Sequence, residues 1–159
     1  MSEARLEGQG SPTGIKRWLY RAPIWFYRAK LGFLLRHRFL LLETIGNKSG
    51  KSRRAVLEVV AEEADAVYLA SAWGKSAHWH KNITANPSVT VQLGSSTYET
   101  EAEPIDAHEA HRVLSQYAAA HPRALRKLAN YMLDEPGETT EEHVARVSAV
   151  IPFVRLPKP

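Results

Sequence analysis

Short β-prone segments separated by turn signals constrain the fold of this chain more than any other feature. The predicted strands cover residues 39–45, 55–60, 66–70, 89–93 and 97–103. Residues 62–65 and 94–96 are acidic or small and lie between consecutive segments, as hairpin connections do. The spacing predicts an antiparallel meander.

Two of these segments are too apolar to lie in a sheet that has one solvent-exposed face. Residues 67–70 and 89–91 contain almost no polar side chain. Closure of the sheet into a small barrel would hide both faces of each strand. We therefore expect an α+β fold built on a small antiparallel barrel with flanking helices.

The second half of the chain carries helix start signals. Asp106 and Glu109 form a capping box, and apolar residues then recur at helical spacing, which predicts a helix over residues 106–121. Further predicted elements are a helix over 122–133, a helix starting at a Thr139 to Glu142 capping box and ending near 147, and a strand over 150–154.

Composition limits the classes that the chain can belong to. With 159 residues and 44% hydrophobic content the chain fits one domain, which we expect over residues 15–159. Residues 1–14 are polar, and we expect them to form a disordered arm. This arm lacks the pattern of a secretory leader. Without cysteine it has no disulfide, thiolate metal ligand or cysteine nucleophile, which fits a reducing cytosol. We expect a cytoplasmic protein.

Charge is distributed unevenly along the chain. Residues 1–54 contain twelve lysines and arginines against three acidic residues, whereas the remainder contains nine against fourteen. Such a basic region suits a polyanionic cofactor, an anionic lipid surface or nucleic acid. No helix-turn-helix, zinc-finger or RNP-like motif supports nucleic acid, so we expect no such partner.

Residues 15–35 interleave aromatic and aliphatic residues with lysine and arginine, which is typical of an amphipathic interfacial helix. The segment is too charged to span a bilayer, and Pro23 should kink it. Peripheral contact with the inner face of the membrane and packing on the protein's own core both stay open.

Residues 46–54 form a glycine-punctuated basic turn between two apolar segments. Two glycines allow positive φ, so backbone N–H groups can converge on one point, and four cationic side chains crowd the same turn. The pattern predicts a binding site for phosphate or carboxylate, with a basic surface hairpin as the alternative. The residues are Gly46, Lys48, Ser49, Gly50, Lys51, Arg53 and Arg54.

A second polar segment follows the third predicted strand. Ser76 is the expected N-cap of a short helix that Pro87 ends, with Trp79 on its apolar face. His78, Asn82 and Asn86 recur four residues apart and predict a polar row. The helix start, flanked by Lys75, could bind a second anionic group.

The sequence contains little that supports a metal site or a hydrolytic active site. His78 and His80 are two residues apart and diverge on a helix, and no third ligand lies nearby in the sequence. No nucleophile elbow or Ser-His-Asp order occurs. We expect no metal.

Several motifs together resemble the deazaflavin-dependent nitroreductase and quinone reductase family, over roughly residues 38–92 and weakly over 151–154. These motifs are Thr44-x-Gly46-x-Lys48-Ser49-Gly50, Leu69-Ala70-Ser71, Trp79-x-x-Asn82-x-x-x-Asn86-Pro87 and Val89-Thr90-Val91-Gln92. The resemblance implies a split β-barrel related to pyridoxamine-phosphate-oxidase-like, FMN-binding proteins. It also implies coenzyme F420, an 8-hydroxy-5-deazaflavin with a phosphodiester and an oligoglutamate tail, which would suit the basic region.

The resemblance also implies roles for single residues. Lys48, Ser49 and Gly50 would bind the phosphate and tail, with Arg53 and Arg54 nearby. The ring pocket would be lined by Ser71, Ala72, Trp73 and Gly74, with Trp79 and Asn82 beneath the ring. For Trp79, ordinary core packing is an equal alternative.

The implied reaction moves a hydride from the reduced coenzyme to an electron-poor acceptor such as a quinone, a nitroaromatic or an activated enone, and in membrane-associated relatives an unsaturated lipid. The family's tyrosine cluster before the last strand is absent here. The proton donor therefore stays open among Tyr117, Tyr131 and His78, each of which also has a structural explanation.

Three alternatives remain at this level: a split-barrel protein that binds FMN, one that binds haem, and a non-catalytic membrane or nucleic-acid adaptor. A homodimer is also open, as is the physiological acceptor.

Overall fold

In this computed structural model the described residues are 37–71, 74–133 and 140–159, without the side chains of residues 127, 128 and 130–133. The arm over 1–14 and the predicted helix over 15–35 lie outside the described residues. The described elements are β1 (Phe39–Ile45), β2 (Ser52–Glu58), β3 (Ala61–Glu62), β4 (Ala66–Ala70), α1 (His78–Ala85), β5 (Ser88–Leu93), β6 (Ser96–Glu101), β7 (Glu103–Pro104), α2 (Ala107–Ala120), α3 (Pro122–Leu133), α4 (Glu141–Val150) and β8 (Phe153–Pro157).

The strands form two four-stranded sheets in which every neighbouring pair is antiparallel. The first has the order β2-β1-β5-β6 and the second the order β3-β4-β8-β7. The predicted hairpin connections are confirmed, since β3 pairs with β4 and β5 with β6. The simple meander is wrong, because β1 also pairs with β5 and β4 with β8, far along the chain.

One hydrophobic core fills the space between the two sheets, as the apolar strands predict. Alternate residues of β1 and β4 point into it, namely Leu40 and Leu42 from the first sheet and Val67 and Leu69 from the second, all fully buried. This interior confirms the expected barrel closure.

A second core lies between the helices and the outer face of the second sheet. Tyr68 and Phe153 face this side, where they meet Val113 of α2, Leu125 of α3 and Val147 of α4. Strands β4 and β8 therefore separate two cores and contribute to both.

Most predicted boundaries hold within a few residues. Helix α2 is capped as expected, since the Asp106 carboxylate accepts the Glu109 N–H at 2.8 Å. The cap of α4 is not the predicted Thr139, which lies outside the described residues: Thr140 accepts the His143 N–H.

Helix α4 also extends past the predicted end at 147 to Val150, and the last strand begins at Phe153 rather than at 150. The reason is packing, because Val147 and Ile151 are both buried in the helical core and continue the helical register. None of the helices within the described ranges is long and apolar enough to cross a membrane.

Candidate functional site

The basic turn between β1 and β2 is closed by its own backbone. The Gly50 N–H donates to the Gly46 carbonyl and the Gly46 N–H to the Lys51 carbonyl, each at 2.8 Å. Gly50 has a φ of 65°, in the left-handed region that favours glycine. The turn is therefore a compact loop with a defined shape.

The backbone N–H groups of this turn do not all point to one ligand position, although the sequence predicted that they would. The N–H groups of Gly46, Asn47, Gly50 and Lys51 all donate within the protein. In the described part of the chain, no acceptor meets the N–H groups of Lys48 and Ser49. The expected convergence of all these N–H groups on one point is wrong, and the donors that remain are two N–H groups and the side chains of the turn.

Ser49 lies over Gly46 at the centre of the turn. Its Oγ accepts from the Lys51 N–H and from Arg53 Nη2, both at 3.3 Å, so its hydroxyl hydrogen is left to donate to another group. A Cβ on Gly46 would lie 2.6 Å from that Oγ and 3.2 Å from the Lys51 carbonyl oxygen. Only glycine at 46 leaves room for this arrangement.

The four cations of the turn do not form one cluster. Lys48, Lys51 and Arg53 are exposed, and neither lysine has an ion-pair partner within the described ranges. Arg53 is paired across the strands with Thr44, whereas Arg54 is paired with Glu43 on the opposite face. Three cations therefore remain at the turn.

Arg54 is engaged elsewhere. Its Nε donates to Glu43 Oε2 at 2.7 Å, and this hydrogen bond is the main reason that the pKa of Glu43 is lowered, against a smaller desolvation effect. The expectation that Arg54 belongs to the predicted anion site is therefore not met by this conformation.

Helix α1 begins differently from the prediction. Residues Gly74–Ser76 form a 3₁₀ turn, so Ala77 occupies the N-cap, without a side-chain cap, and the expected Ser76 cap is wrong. Gly74 has a φ of 62°, its N–H donates to the Ser71 carbonyl, and the buried Ser71 Oγ donates to the Gly74 carbonyl at 2.6 Å. Ser71 and Gly74 thus fix the bend that precedes α1.

Asn82 joins α1 to the basic turn. Its Oδ1 accepts the Asn47 N–H and its Nδ2 donates to Thr44 Oγ1, both at 3.0 Å. Asn82 and Thr44 are buried. The sequence interpretation missed the role of Thr44, although strand alternation after Leu40 and Leu42 indicates that it points inward.

The other predicted ring-pocket residues are only partly described. Trp79 is half-buried and packs against the barrel core. Lys75 is exposed beside the start of α1. Ala72 and Trp73 lie outside the described residues.

Of the three candidate proton donors, Tyr117 is engaged away from the turn. The Tyr117 hydroxyl donates to Glu58 Oε1 at 3.2 Å, at the end of β2 that is about 20 Å from the turn by the rise of an extended strand. Burial, followed by the charge and hydrogen bond of Glu58, raises the pKa of Tyr117 to about 12. His78 is the exposed first residue of α1, and the side chain of Tyr131 is outside the described set.

His80 is half-buried on α1, where its ring meets Trp79 edge-on at 5.8 Å. Burial lowers the pKa of His80, and the charge of Lys75 lowers it further. Within the described ranges, no three potential metal ligands lie together.

Comparison with known proteins identifies what this chain resembles. A family model described as F420H(2)-dependent quinone reductase matches residues 19–130. An F420H(2)-dependent quinone reductase of Mycobacterium tuberculosis is 32% identical over 73 residues, which are 44% of this chain and 48% of the relative. The chain spans about half the length of the curated relatives it matches.

Solved structures show the same architecture. An F420-H2 dependent reductase, FDR-A, is 26% identical with a TM-score of 0.52, over 76% of this chain and 95% of that one. A provisionally named pyridoxamine 5′-phosphate oxidase from Listeria innocua is 13% identical with a TM-score of 0.51, over 83% and 93%. The family resemblance and the split-barrel fold are thereby confirmed.

Proposed function

The chain belongs to the F420H(2)-dependent quinone reductase family, and from that membership we propose that it transfers a hydride from reduced coenzyme F420 to an electron-poor acceptor. A quinone, a nitroaromatic or an activated enone would be a suitable acceptor. The observation that carries the proposal is the basic turn at residues 46–54, where Arg53 meets Ser49 and two lysines are exposed.

The turn would hold the phosphodiester and oligoglutamate tail of the coenzyme. The Ser49 hydroxyl and the N–H groups of Lys48 and Ser49 offer neutral donors, while Lys48, Lys51 and Arg53 offer charge. Charge-assisted hydrogen bonds to phosphate are stronger than neutral ones, so the cations should supply most of the affinity. Exposure of these groups fits a flexible, charged tail better than a buried ring.

The ring would lie at the start of α1, against the bend fixed by Ser71 and Gly74 and beside Trp79. The bound coenzyme supplies the hydride from C5 of its reduced ring. The residues of the chain would orient the ring, exclude water and offer a proton to the product. Lys75, exposed at the same bend, would bind an anionic group of the coenzyme or the acceptor.

The proposed proton donor is His78, because it is the first residue of α1, where the ring is proposed to lie. Tyr117 already donates to Glu58 in another part of the molecule. We expect His78→Gln to lower kcat about a hundredfold and to flatten the pH profile, with Tyr117→Phe as the matched control that leaves kcat unchanged. Equal activity of His78→Gln and the wild type would remove His78 from this role and leave Tyr131 to be tested in the same way.

The first test is a titration of the purified protein with coenzyme F420, FMN and haem, followed by fluorescence and absorbance. Arg53→Gln should weaken coenzyme binding about tenfold, because one charge-assisted bond is lost. Arg54→Gln, on the neighbouring residue but bound to Glu43 on the opposite face, should bind like the wild type. A preference for FMN or haem would overturn the proposed cofactor.

The second test follows oxidation of the reduced coenzyme by a panel of quinones, nitroaromatics and enones. Turnover with at least one class is expected, and binding without turnover of any class would contradict the reductase proposal. Peripheral membrane contact through residues 15–35, a cytoplasmic location and a homodimer remain predictions that neither test addresses.

A further inference from the structure

Both the oxygen and the nitrogen of the Asn82 side-chain amide are engaged, between the basic turn and strand β1. Its Oδ1 accepts the Asn47 N–H and its Nδ2 donates to Thr44 Oγ1, both at 3.0 Å. The orientation of this amide is fixed by chemistry, because a backbone N–H can only donate and must therefore face the oxygen. The nitrogen then faces the Thr44 hydroxyl.

Asn82 is also too enclosed to serve as a ligand contact. Only 5% of the residue and 2% of Thr44 are exposed, whereas Lys48 and Ser49 are exposed. A molecule bound at the turn would touch the exposed residues and leave Asn82 behind them.

The bond to Asn47 acts at a specific point of the turn. Asn47 directly precedes Lys48 and Ser49, which are exposed and whose N–H groups meet no acceptor within the described ranges. The bonds inside the turn, from Gly46 to Lys51 and from Gly50 to Gly46, fix its two ends, while Asn82 fixes the residue between them. Loss of this bond would leave the exposed donors attached to a looser backbone.

We propose that Asn82 is a positioning residue, which holds the anion-binding turn in its binding conformation through Asn47 and is itself held by Thr44. The inference rests on the proposed function, since it concerns the tail end of the coenzyme site. It differs from the expectation that Asn82 contacts the ring.

Two ligands separate these roles: coenzyme F420, and 8-hydroxy-5-deazariboflavin, which has the ring but lacks the phosphate and tail. Asn82→Leu keeps the shape but removes both hydrogen bonds. It should raise the Kd and KM of the full coenzyme about tenfold, while kcat and the affinity for the tail-less compound stay unchanged. Equal losses for both ligands would show a ring contact and overturn the proposal.

Thr44 provides a second variant pair that does not touch Asn47. Thr44→Val removes the acceptor of the Asn82 amide, and we expect the Kd of the full coenzyme to rise about fivefold, with Thr44→Ser restoring it. Because Thr44 is enclosed, it would not contact the ligand directly. The pair carries the test if Asn82→Leu does not fold.

A readout without ligand completes the test. The Asn47 amide hydrogen should exchange with solvent about tenfold faster in Asn82→Leu than in the wild type, or in Thr44→Val if that variant is used, because its acceptor is lost or loosened. Unchanged exchange, or an unchanged Kd for the full coenzyme, would refute the positioning role. If the wild-type protein binds neither compound, the proposed function itself fails and this inference falls with it.

Discussion

Gly46 leaves the space that Ser49 and Lys51 need in order to lie where they do in the turn. Its φ is not in the left-handed region, unlike that of Gly50, so the need for glycine comes from the close approach of Ser49 and Lys51. The two glycines of the turn are therefore required for different physical reasons, although both stand in the same motif.

The variants Gly46→Ala and Gly50→Ala should separate these reasons. In Gly46→Ala the new Cβ would meet Ser49 Oγ at 2.6 Å, so Ser49 must move and the Kd of the coenzyme should rise about tenfold. In Gly50→Ala the new Cβ has no neighbour within 4 Å, and we expect mainly a loss of about 1 kcal/mol in stability from the positive φ. Titration calorimetry and denaturant unfolding measure the two effects, and the opposite ranking of the variants would contradict the proposed reasons.

A second prediction at the residue scale concerns Tyr117 and the free energy of unfolding at alkaline pH. Its pKa is raised from 10.0 to about 12 in the folded protein, by burial first and by Glu58 second. A group that is held in its neutral form stabilises the fold fully below pH 10, and this contribution is lost as the pH rises towards 12.

The stability advantage of the wild type over Tyr117→Phe should therefore shrink between pH 10 and about pH 12 in denaturant unfolding. An ultraviolet titration should also lose one tyrosine of high pKa in this variant. A constant difference in stability across that range would show that Tyr117 titrates normally.

The sequence predicted which residues form the site better than it predicted which way their side chains point. The spacing and the basic composition of residues 46–54 identified the turn and its cations. Whether Arg53 or Arg54 faces the turn depends on strand register, and the bond between Arg54 and Glu43 depends on a pairing that the spacing did not specify. The enclosed role of Asn82 could not be read from its helical position alone.

Among the elements, α2 was predicted best because its start signal is local. The Asp106 carboxylate and the Glu109 N–H are three residues apart, so the sequence contains the whole interaction. The start of α4 was misjudged by one residue because Thr139 and Thr140 are adjacent and both could cap a helix. The start of α1 was misjudged because the 3₁₀ turn before it depends on Ser71 and Gly74, whose mutual hydrogen bonds were not expected.

We expect Asp106→Ala to destabilise the protein by about 1 kcal/mol, because α2 loses its cap, while Asp106→Ser keeps an acceptor and most of the stability. Denaturant unfolding compares the two variants with the wild type. Coenzyme affinity should be the same in all three, since α2 covers the outer face of the second sheet. Equal stability of Asp106→Ala and the wild type would mean that water replaces the cap at no cost.

At the scale of the whole molecule, the main feature is that β4 and β8 belong to two cores. Tyr68 faces the helices and Leu69, the next residue, faces the barrel interior. The order of the strands was not predictable from local signals, because the β1–β5 and β4–β8 pairs join distant segments. The apolar strands, through the need for closure, indicated a small barrel, and only the family resemblance indicated a split barrel.

Because the two cores share strands, they should unfold together. Leu69→Ala should lower the free energy of unfolding by about 2–5 kcal/mol, and amide hydrogen exchange should show the same loss in β1 and in α2. Ile45→Ala, on an exposed side chain, is the control and should cost less than about 0.5 kcal/mol. Faster exchange in β1 alone would show that the helical layer is an independent folding unit.

The bond between Asn82 and the turn has a consequence for how this architecture can diversify. From His78 to Asn82, α1 advances one turn, or about 6 Å, and this rigid length separates the ring end of the proposed site from the tail end. One inserted residue in that stretch would also rotate everything after it by about 100°. Among relatives of this chain, insertions should therefore occur in the hairpin at Gly94 and be rare in α1. The distance between the ring end and the tail end of the proposed site should then stay constant while the remaining loops vary in length.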